Sequence, residues 1–133
     1  MILVTLGTQD KKFTRLLSEL DALIENKVIQ DKVIVQAGFS SDYSSNNMEI
    51  FDLIAKDKFD KLISECDLLI THGGVGAILT GLKYQKKIIA IPRLKKYKEH
   101  VNDHQVQIVE NFNEEGYIIG INDVKDLENA IKE

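Results

Sequence analysis

The apolar residues of this chain alternate between short unbroken runs and longer stretches with helical spacing. The runs are typical of strands buried on both faces of a parallel sheet, and they cover residues 2–6, 32–36, 68–70 and 88–91. Two further strands are predicted at residues 49–54 and 117–121. The stretches between the strands predict amphipathic helices over residues 13–24, 56–65, 75–83, 102–112 and 122–131. Strands that alternate with helices at these lengths imply parallel pairing and right-handed crossovers, so we expect a doubly wound, mainly parallel α/β fold.

Length and composition fit one domain. The chain has 133 residues, of which 44% are hydrophobic, and this is enough to bury a single core. Its formal net charge of −4 argues against general nucleic-acid binding. Cys66 is the only cysteine, which excludes a disulfide within the chain and favours a small, buried, apolar role for this residue. We therefore expect one domain over residues 1–133 and no nucleic-acid partner.

No targeting or membrane-spanning segment is predicted. The opening residues, MILVTLG, form too short and too lightly charged a segment for a secretory signal. No apolar run approaches the ~20 residues that a membrane span requires. These features predict a cytoplasmic protein that reaches a membrane only by its surface or through a partner.

Basic residues crowd one segment of the chain, with only Glu99 to oppose them. They are Lys83, Lys86, Lys87, Arg93, Lys95, Lys96 and Lys98. One interpretation is a solvated loop and helix end. The other is a surface that faces anionic lipid headgroups or a lipid diphosphate.

The most informative segment is a predicted strand that leads into a glycine turn and then a helix. Thr71 and His72 lie where the strand ends. The glycines that follow allow a ligand to approach the backbone closely, and they are Gly73, Gly74 and Gly76. The unpaired N–H groups and the positive dipole end of the next helix favour an anion at this point. The segment therefore predicts a phosphate-binding turn.

Other predicted turns bring polar residues to the same edge of the sheet. Gly7 and Thr8 follow the first strand, either as a second N–H-rich turn for a diphosphate or as a tight turn only. Gln36 ends the second strand and either shapes a loop or touches a ligand. His104 and Gln105 lie near the start of the helix after the fifth strand. In open α/β sheets this carboxyl edge is where ligands bind.

The order of these elements resembles a known enzyme family. The series Thr-His-Gly-Gly, helix, strand ending in Ile-Pro, and then His-Gln is similar to the nucleotide-sugar half, or family 28 C-terminal domain, of GT-B glycosyltransferases. Within that family the chain resembles the undecaprenyl-linked and dolichol-linked GlcNAc transferase type, including the catalytic subunit of the two-subunit dolichol-linked enzyme. It looks most like the PssE-like exopolysaccharide and capsule subunits. The opening, MILVTLGTQDKKFTRLLSELDAL, resembles the same family's first strand, Gly-Thr turn and helix.

This resemblance implies a Rossmann-like domain that forms the donor-binding half of a GT-B enzyme. The implied function is the donor-binding catalytic subunit of an inverting glycosyltransferase, which moves a hexose from a UDP-sugar to a lipid-linked saccharide in exopolysaccharide or capsule biosynthesis. A membrane-anchored partner subunit would bind the acceptor and hold the chain at the inner face of the cell membrane. The alternative is a non-catalytic nucleotide or nucleotide-sugar binding regulatory module.

The resemblance also implies roles for single residues. His72 would be catalytic, by stabilising the charge on the departing UDP. The implied substrate-binding residues are Gly7, Thr8, Phe51, Ile54, Thr71, Gly73, Gly74, Gly76, Thr80, His104 and Gln105. Residues 51–54 would lie against the uracil ring, and the His-Gln pair would contact the donor sugar. Thr80 stands where relatives commonly carry an acidic residue for the ribose, so the implied contact is reduced to one hydroxyl.

Other kinds of site are not indicated. The chain has no Asp-x-Asp, the carboxylate pair that holds a divalent ion in glycosyltransferases of the other main fold. His100 and His104 have the spacing of a metal pair but lack a Glu-x-x-His pattern and a third ligand. The absence of Gly-x-Gly-x-x-Gly after the first strand argues against a dinucleotide enzyme. We therefore expect neither a metal nor a cofactor.

Overall fold

A computed structural model describes residues 1–133 as a sheet flanked by helices. The strands are β1 (Ile2–Thr5), β2 (Val33–Gln36), β3 (Glu49–Phe51), β4 (Leu68–His72), β5 (Lys87–Ile91) and β6 (Ile119–Gly120). The helices are α1 (Thr14–Glu25), α2 (Lys56–Glu65), α3 (Val75–Lys83), α4 (His104–Glu114) and α5 (Leu127–Lys132). The 6-stranded sheet has the order β3-β2-β1-β4-β5-β6, with every neighbouring pair parallel. This confirms the predicted doubly wound, Rossmann-like α/β fold.

Helices cover both faces of the sheet. On one face, α1 and α5 bury residues such as Leu17 and Leu127 against the central strands. On the other face, α2, α3 and α4 bury Ile63, Ile78 and Val109. β1, β2 and β4 are buried along their whole length, which explains their unbroken apolar runs. No helix of the structure combines the length and apolar character that a transmembrane span requires.

The strand order reverses between β1 and β4. The chain moves outward from β1 through β2 to β3 and then returns to place β4 on the other side of β1. A crevice forms at the carboxyl ends of the strands at such a point. The register pairs Thr5 with Thr71, so the turns that follow both residues leave the sheet side by side. This geometry places Gly7 next to His72.

Several predicted boundaries are wrong. β3 ends at Phe51 rather than at residue 54, because its partner β2 ends at Gln36, opposite Phe51, and the chain then turns at Gly38. The segment after Phe51 therefore leaves the sheet and becomes available to a ligand. β6 is confined to residues 119–120 instead of 117–121.

The helix after β5 begins at His104 rather than at residue 102. Ahead of it, the Asn102 side chain accepts from the His104 N–H at 3.0 Å. The Asp103 side chain accepts from the Lys95 N–H at 2.8 Å. These local side-chain bonds compete with helix formation, which explains the later start.

The basic segment divides into buried and exposed parts. Arg93 is 1% exposed and Glu99 is 2% exposed, so neither belongs to the protein surface. Lys87 Nζ donates to the Glu133 carbonyl at the end of the chain, at 2.8 Å. The exposed residues of the segment that lie after β5 are Lys95, Lys96 and Lys98. The interpretations drawn from the whole run of charge therefore apply only to part of it.

Cys66 follows α2 and is 1% exposed, which confirms its predicted role as a small buried residue. Its thiol lies 3.1 Å from the Ile63 carbonyl. Burial raises the pKa of the thiol. A buried thiol of raised pKa has little thiolate character, and the residue serves packing.

Candidate functional site

A cavity of about 400 Å³ opens at the carboxyl ends of β1 and β4. The volume lies within the range of small-molecule and cofactor sites. Its walls come from the turn after β1, the end of β2, the segment from β3 into α2, and the start of α3. The lining residues are Thr5, Gly7, Thr8, Gln9, Gln36, Leu53, Ile54, Lys56, Phe59, His72, Gly74, Gly76 and Ala77.

The His72 ring lies between two glycines on one side of this cavity. A Cβ placed on Gly7 would lie 2.5 Å from His72 Nε2, and one placed on Gly74 would lie 2.7 Å from the same atom. Gly7 also has φ of +81°, a conformation that glycine adopts without strain. Both turns therefore need glycine because the histidine occupies the space of a side chain.

Gln105 fixes the orientation and the tautomer of this ring. Gln105 Oε1 accepts from the Gly73 N–H at 3.0 Å and from the Arg93 N–H at 2.9 Å. The amide nitrogen must then face His72 Nδ1, which lies 3.1 Å away. An amide NH₂ only donates, so Nδ1 accepts, and the proton of the neutral ring is on Nε2. His72 consequently presents an N–H donor to the cavity.

His72 stays neutral well below physiological pH. Burial, assisted by the positive charge of Arg93, lowers its pKa to about 4. The residue is 8% exposed. At neutral pH it therefore offers a hydrogen bond to an anion without titrating.

The start of α3 adds main-chain donors to the same side. The N–H groups of residues 74–77 have no acceptor in the protein, as at most helix N-termini. Gly74 and Gly76 both line the cavity, and a Cβ on Gly76 would meet no atom within 4 Å. The helix dipole and these free donors favour a phosphate group beside His72.

Gln36 holds the turn after β1 from the other side. Gln36 Oε1 accepts from the Gly7 N–H at 3.2 Å, while Nε2 donates to the carbonyls of Gly7 and Asp52, both at 3.1 Å. Gln36 is 4% exposed, so its amide is committed to the protein. Of the two sequence interpretations, the structure thus supports a loop-shaping role for Gln36. The Gly7 N–H is committed as well, and the donors left free in that turn come from Thr8 and Gln9.

The opposite side of the cavity is apolar. Leu53 and Ile54 come from the segment that leaves β3, and Phe59 comes from α2. Leu53 is 59% exposed. Lys56 stands at the same end, with Nζ 3.0 Å from Asp60 Oδ2. This side suits the flat, weakly charged face of a nucleobase.

The structure brings together about half of the residues that the sequence singled out. Those that line the cavity are Gly7, Thr8, Ile54, His72, Gly74 and Gly76. Gly73 does not line it, because this residue packs against α4, where an added Cβ would lie 2.8 Å from Gln105 Cβ. Gln105 itself is 5% exposed and braces the site instead of facing the cavity.

Four other predicted residues lie elsewhere. Thr71 is fully buried and accepts from the Thr5 hydroxyl at 2.8 Å. Phe51 packs against the core under α2. The Thr80 hydroxyl donates to the Gly76 carbonyl within α3, at 2.9 Å. His104 is exposed at the start of α4 and does not line the cavity.

Sequence reasoning did not assign Gln9, Lys56 or Phe59 to the site, whereas the family resemblance had placed Leu53, within residues 51–54, against the uracil ring. The helical spacing of residues 56–65 predicts that Phe59 faces the core, and it gives no sign that part of that face borders a cavity. Leu53 lay within the strand predicted at residues 49–54, where the break after Phe51 could not be anticipated. A single sequence holds no signal that separates Gln9, Lys56 and Phe59 from ordinary core and surface positions.

The family model described as glycosyltransferase family 28 C-terminal domain matches residues 1–133. The UDP-N-acetylglucosamine transferase subunit ALG13 of Candida glabrata is 32% identical over 94 residues, which cover 71% of this chain and 38% of that protein. The subunit of the same name from Candida albicans is 28% identical over 89 residues, which cover 67% of this chain and 29% of that protein. The chain therefore matches less than half the length of these curated relatives.

Solved structures show a similar fold. The glycotransferase of kitacinnamycin matches with a TM-score of 0.70 and 15% identity, over 99% of this chain and 34% of its own chain. The glycosyltransferase SnogD from Streptomyces nogalater matches with a TM-score of 0.54 and 21% identity, over 91% of this chain and 31% of its own chain. At such identities the likeness extends to the fold alone.

Proposed function

The chain belongs to the glycosyltransferase family 28 C-terminal domain family, and on that basis we propose that it is the donor-binding catalytic subunit of an inverting glycosyltransferase. The reaction moves a hexose from a UDP-sugar to a lipid-linked saccharide in exopolysaccharide or capsule biosynthesis. A membrane-anchored partner subunit binds the acceptor. The chain works in the cytoplasm, at the inner face of the cell membrane, through that partner.

One observation carries the proposal, namely the neutral His72 N–H that points into the cavity beside the free amides of α3. In direct displacement, an acceptor hydroxyl attacks the anomeric carbon of the donor, and the bond to the β-phosphate of UDP breaks. Negative charge then grows on the departing phosphate. Donors already fixed toward that charge stabilise the transition state without reorganisation.

The same geometry excludes His72 as the base that removes the proton of the acceptor hydroxyl. Nδ1 is engaged by Gln105, and Nε2 already carries a proton. A general base needs a free lone pair within reach of that hydroxyl. We assign the base to the partner subunit.

The apolar side of the cavity supports uridine as the nucleoside. Leu53, Ile54 and Phe59 offer an apolar surface to a planar base. The names of the curated relatives identify them as subunits of a UDP-N-acetylglucosamine transferase, which supports both a UDP-sugar donor and a partner. UDP-N-acetylglucosamine is therefore the first donor to test.

The Thr80 hydroxyl favours a second candidate function. Its proton is donated within α3, so Thr80 can only accept from a ribose hydroxyl, and it lacks the two carboxylate oxygens of the acidic residue that relatives commonly carry. A domain that binds nucleotide without transferring sugar would tolerate that loss. This candidate is a non-catalytic nucleotide or nucleotide-sugar binding regulatory module.

Nucleotide selectivity tests the donor site. UDP is expected to raise the Tm of the isolated chain more than GDP or ADP does, both with and without EDTA, because the donors of the site are protein N–H groups. Equal shifts for the three nucleotides at millimolar concentration would contradict a uridine site.

Reconstitution separates the two candidate functions. The chain alone should transfer little sugar, and addition of the membrane-anchored partner should give transfer from UDP-N-acetylglucosamine or another UDP-hexose to a lipid acceptor. UDP binding without transfer by the reconstituted pair, for every UDP-hexose tried, would favour the regulatory module. Rapid transfer by the chain alone would contradict the need for a partner.

A further inference from the structure

Arg93 is a charged side chain inside the fold. It follows β5 and Pro92, and it is 1% exposed. Burial lowers its pKa to about 10, which leaves the guanidinium charged at neutral pH. A buried charge is costly unless hydrogen bonds satisfy it, so the bonds of this residue indicate why it is there.

The guanidinium holds both ends of one loop. Nη2 donates to the Leu6 carbonyl at 2.5 Å, and Nη1 donates to the Lys11 carbonyl at 2.8 Å. These two carbonyls bracket residues 7–10, the loop that follows β1. Nη1 also donates to the Glu99 carbonyl at 3.0 Å, which ties the loop to the segment before α4.

Few other contacts fix this loop. Gly7 is held by Gln36, but no main-chain group of residues 8–10 has a hydrogen-bond partner in the protein. Gly7, Thr8 and Gln9 nevertheless line the cavity beside His72. The position of this wall consequently depends on its two anchors, the Gln36 amide and the Arg93 guanidinium.

Arg93 is not simply one half of an ion pair. The Glu99 carboxylate bonds Arg15 Nε at 2.8 Å and the Leu94 N–H at 3.0 Å. All hydrogen bonds of the Arg93 side chain go instead to main-chain carbonyls. A planar guanidinium bridges separate carbonyls in a way that a lysine ammonium does not.

We propose that Arg93 is a positioning residue, which clamps both ends of the loop at residues 7–10 and so sets the diphosphate side of the donor cavity. Its side chain does not line the cavity, so it acts through the loop. Its main-chain N–H also shares Gln105 Oε1 with the Gly73 N–H. One residue thereby links the turn after β1 to the turn that carries His72. The inference rests on the proposed function only for the identity of the ligand.

Arg93→Lys tests the clamp, and Arg15→Lys is the matched control. The two guanidinium groups lie 5.1 Å and 5.2 Å from the centre of the same Phe13 ring. Arg15 bonds Glu99 and the Pro92 carbonyl but no atom of the loop. Both substitutions keep the charge, so they differ in whether the loop loses an anchor.

Two measurements apply to both variants. ¹⁵N relaxation of the free chains gives backbone order parameters for residues 8–10, and calorimetry gives the Kd for UDP. In Arg93→Lys we expect the order parameters to fall from about 0.85 to below about 0.6. We also expect UDP affinity to fall about tenfold, while Arg15→Lys keeps both quantities near wild type. Unchanged loop order in Arg93→Lys, or equal changes in both variants, would overturn the proposal.

A measurement on the unmodified chain covers the case in which Arg93→Lys does not fold. The arginine side-chain nitrogen resonances are followed while UDP is added. Contact between the loop and the diphosphate should shift the Arg93 resonances and leave those of Arg15 in place. Arg93 resonances that stay unmoved in a chain saturated with UDP would overturn the clamp. If the wild-type chain binds no UDP, the proposed function fails, and the order parameters still decide the clamp.

Discussion

The two sides of the cavity are built by opposite means. On the side of His72, the histidine is buried and bonded to Gln105, and Gln36 holds the neighbouring turn at Gly7. On the other side, Leu53 is 59% exposed and has no polar group that could fix its side chain. The Lys56 side chain is 83% exposed.

This difference matches the two parts of a nucleotide. A diphosphate carries concentrated charge, and fixed donors stabilise it best because they need no reorganisation. A base offers a broad planar face, and its binding gains come from removing apolar surface from water. We infer that the phosphate side is preorganised and that the nucleoside side becomes buried only when ligand binds.

Gly74→Val should have the largest effect on UDP binding, since it breaks the preorganised side. A Cβ on Gly74 collides with the His72 ring, and an added isopropyl group forces that ring out of place. We expect a loss of about 3 kcal/mol in the free energy of unfolding and no detectable UDP binding. Denaturant unfolding and calorimetry measure the two effects.

Gly76→Ala is the matched control for stability, because a Cβ there meets open space. It should keep the wild-type Tm or raise it slightly, since alanine favours a helix over glycine. A Gly74→Val chain that binds UDP normally would show that the His72 ring is not held as the structure places it.

Gln105→Leu should have the second largest effect on UDP binding and the largest effect on stability. It leaves the N–H groups of Gly73 and Arg93 and the Nδ1 atom of His72 without partners in a buried region. With each unsatisfied group costing about 1–3 kcal/mol, we expect the free energy of unfolding to fall by about 4 kcal/mol. UDP affinity should fall as well, because the histidine loses its fixed tautomer.

Gln107→Leu, two residues along α4, is exposed and should leave both quantities near wild type. The result for Gln105→Leu also decides whether Gln105 braces the site or contacts the donor sugar. Loss of donor-sugar binding with unchanged stability and unchanged UDP affinity would favour the sugar contact that the family resemblance implies.

The sequence brought residues on the His72 side of the cavity together for a physical reason. A strand end, a glycine turn and a helix start are local features, and each leaves a mark on consecutive residues. His72 and Gly74 were recognised from that pattern, and both line the cavity. The parallel strand order follows from the same alternation of strands and helices.

The bracing residues and the end of β3 were not predictable in this way. Arg93 was counted among surface charges, although it is 1% exposed, because a run of basic residues does not reveal which member turns inward. Gln105 was assigned to the donor sugar by the family resemblance. Its bonds to Gly73 and Arg93 join segments that are distant in sequence, so no local pattern reveals them. The end of β3, which frees Leu53 from the sheet, follows from where its partner β2 ends, and β2 is distant in sequence.

The third prediction concerns the pH dependence of stability on the preorganised side. The pKa of His72 falls from 6.5 in the unfolded chain to about 4 in the fold, so between these values the unfolded chain binds the extra proton. Stability should therefore rise with pH across this window, and the contribution of His72 amounts to about 3 kcal/mol. Below pH 4 the buried His72 lowers the free energy of unfolding by this full amount, and above pH 7 it no longer lowers it.

His72→Gln removes this contribution, and the difference between its unfolding curves and those of wild type isolates the histidine. Identical slopes for His72→Gln and wild type between pH 4 and 6.5 would mean that the ring is not held neutral by burial.

The smallest effect is expected on the nucleoside side. Leu53→Ala removes apolar surface that is already exposed in the free chain, so stability should change by less than about 0.5 kcal/mol. UDP affinity should fall by about 1 kcal/mol, or roughly fivefold, because the base then buries less apolar area. Leu79→Ala is the control, since Leu79 is 52% exposed on α3 but does not line the cavity.

Inorganic diphosphate sharpens the test, because it reaches only the preorganised side and should bind the Leu53→Ala chain as it binds wild type. A variant that weakened UDP and diphosphate equally would show that the two sides of the cavity are not independent.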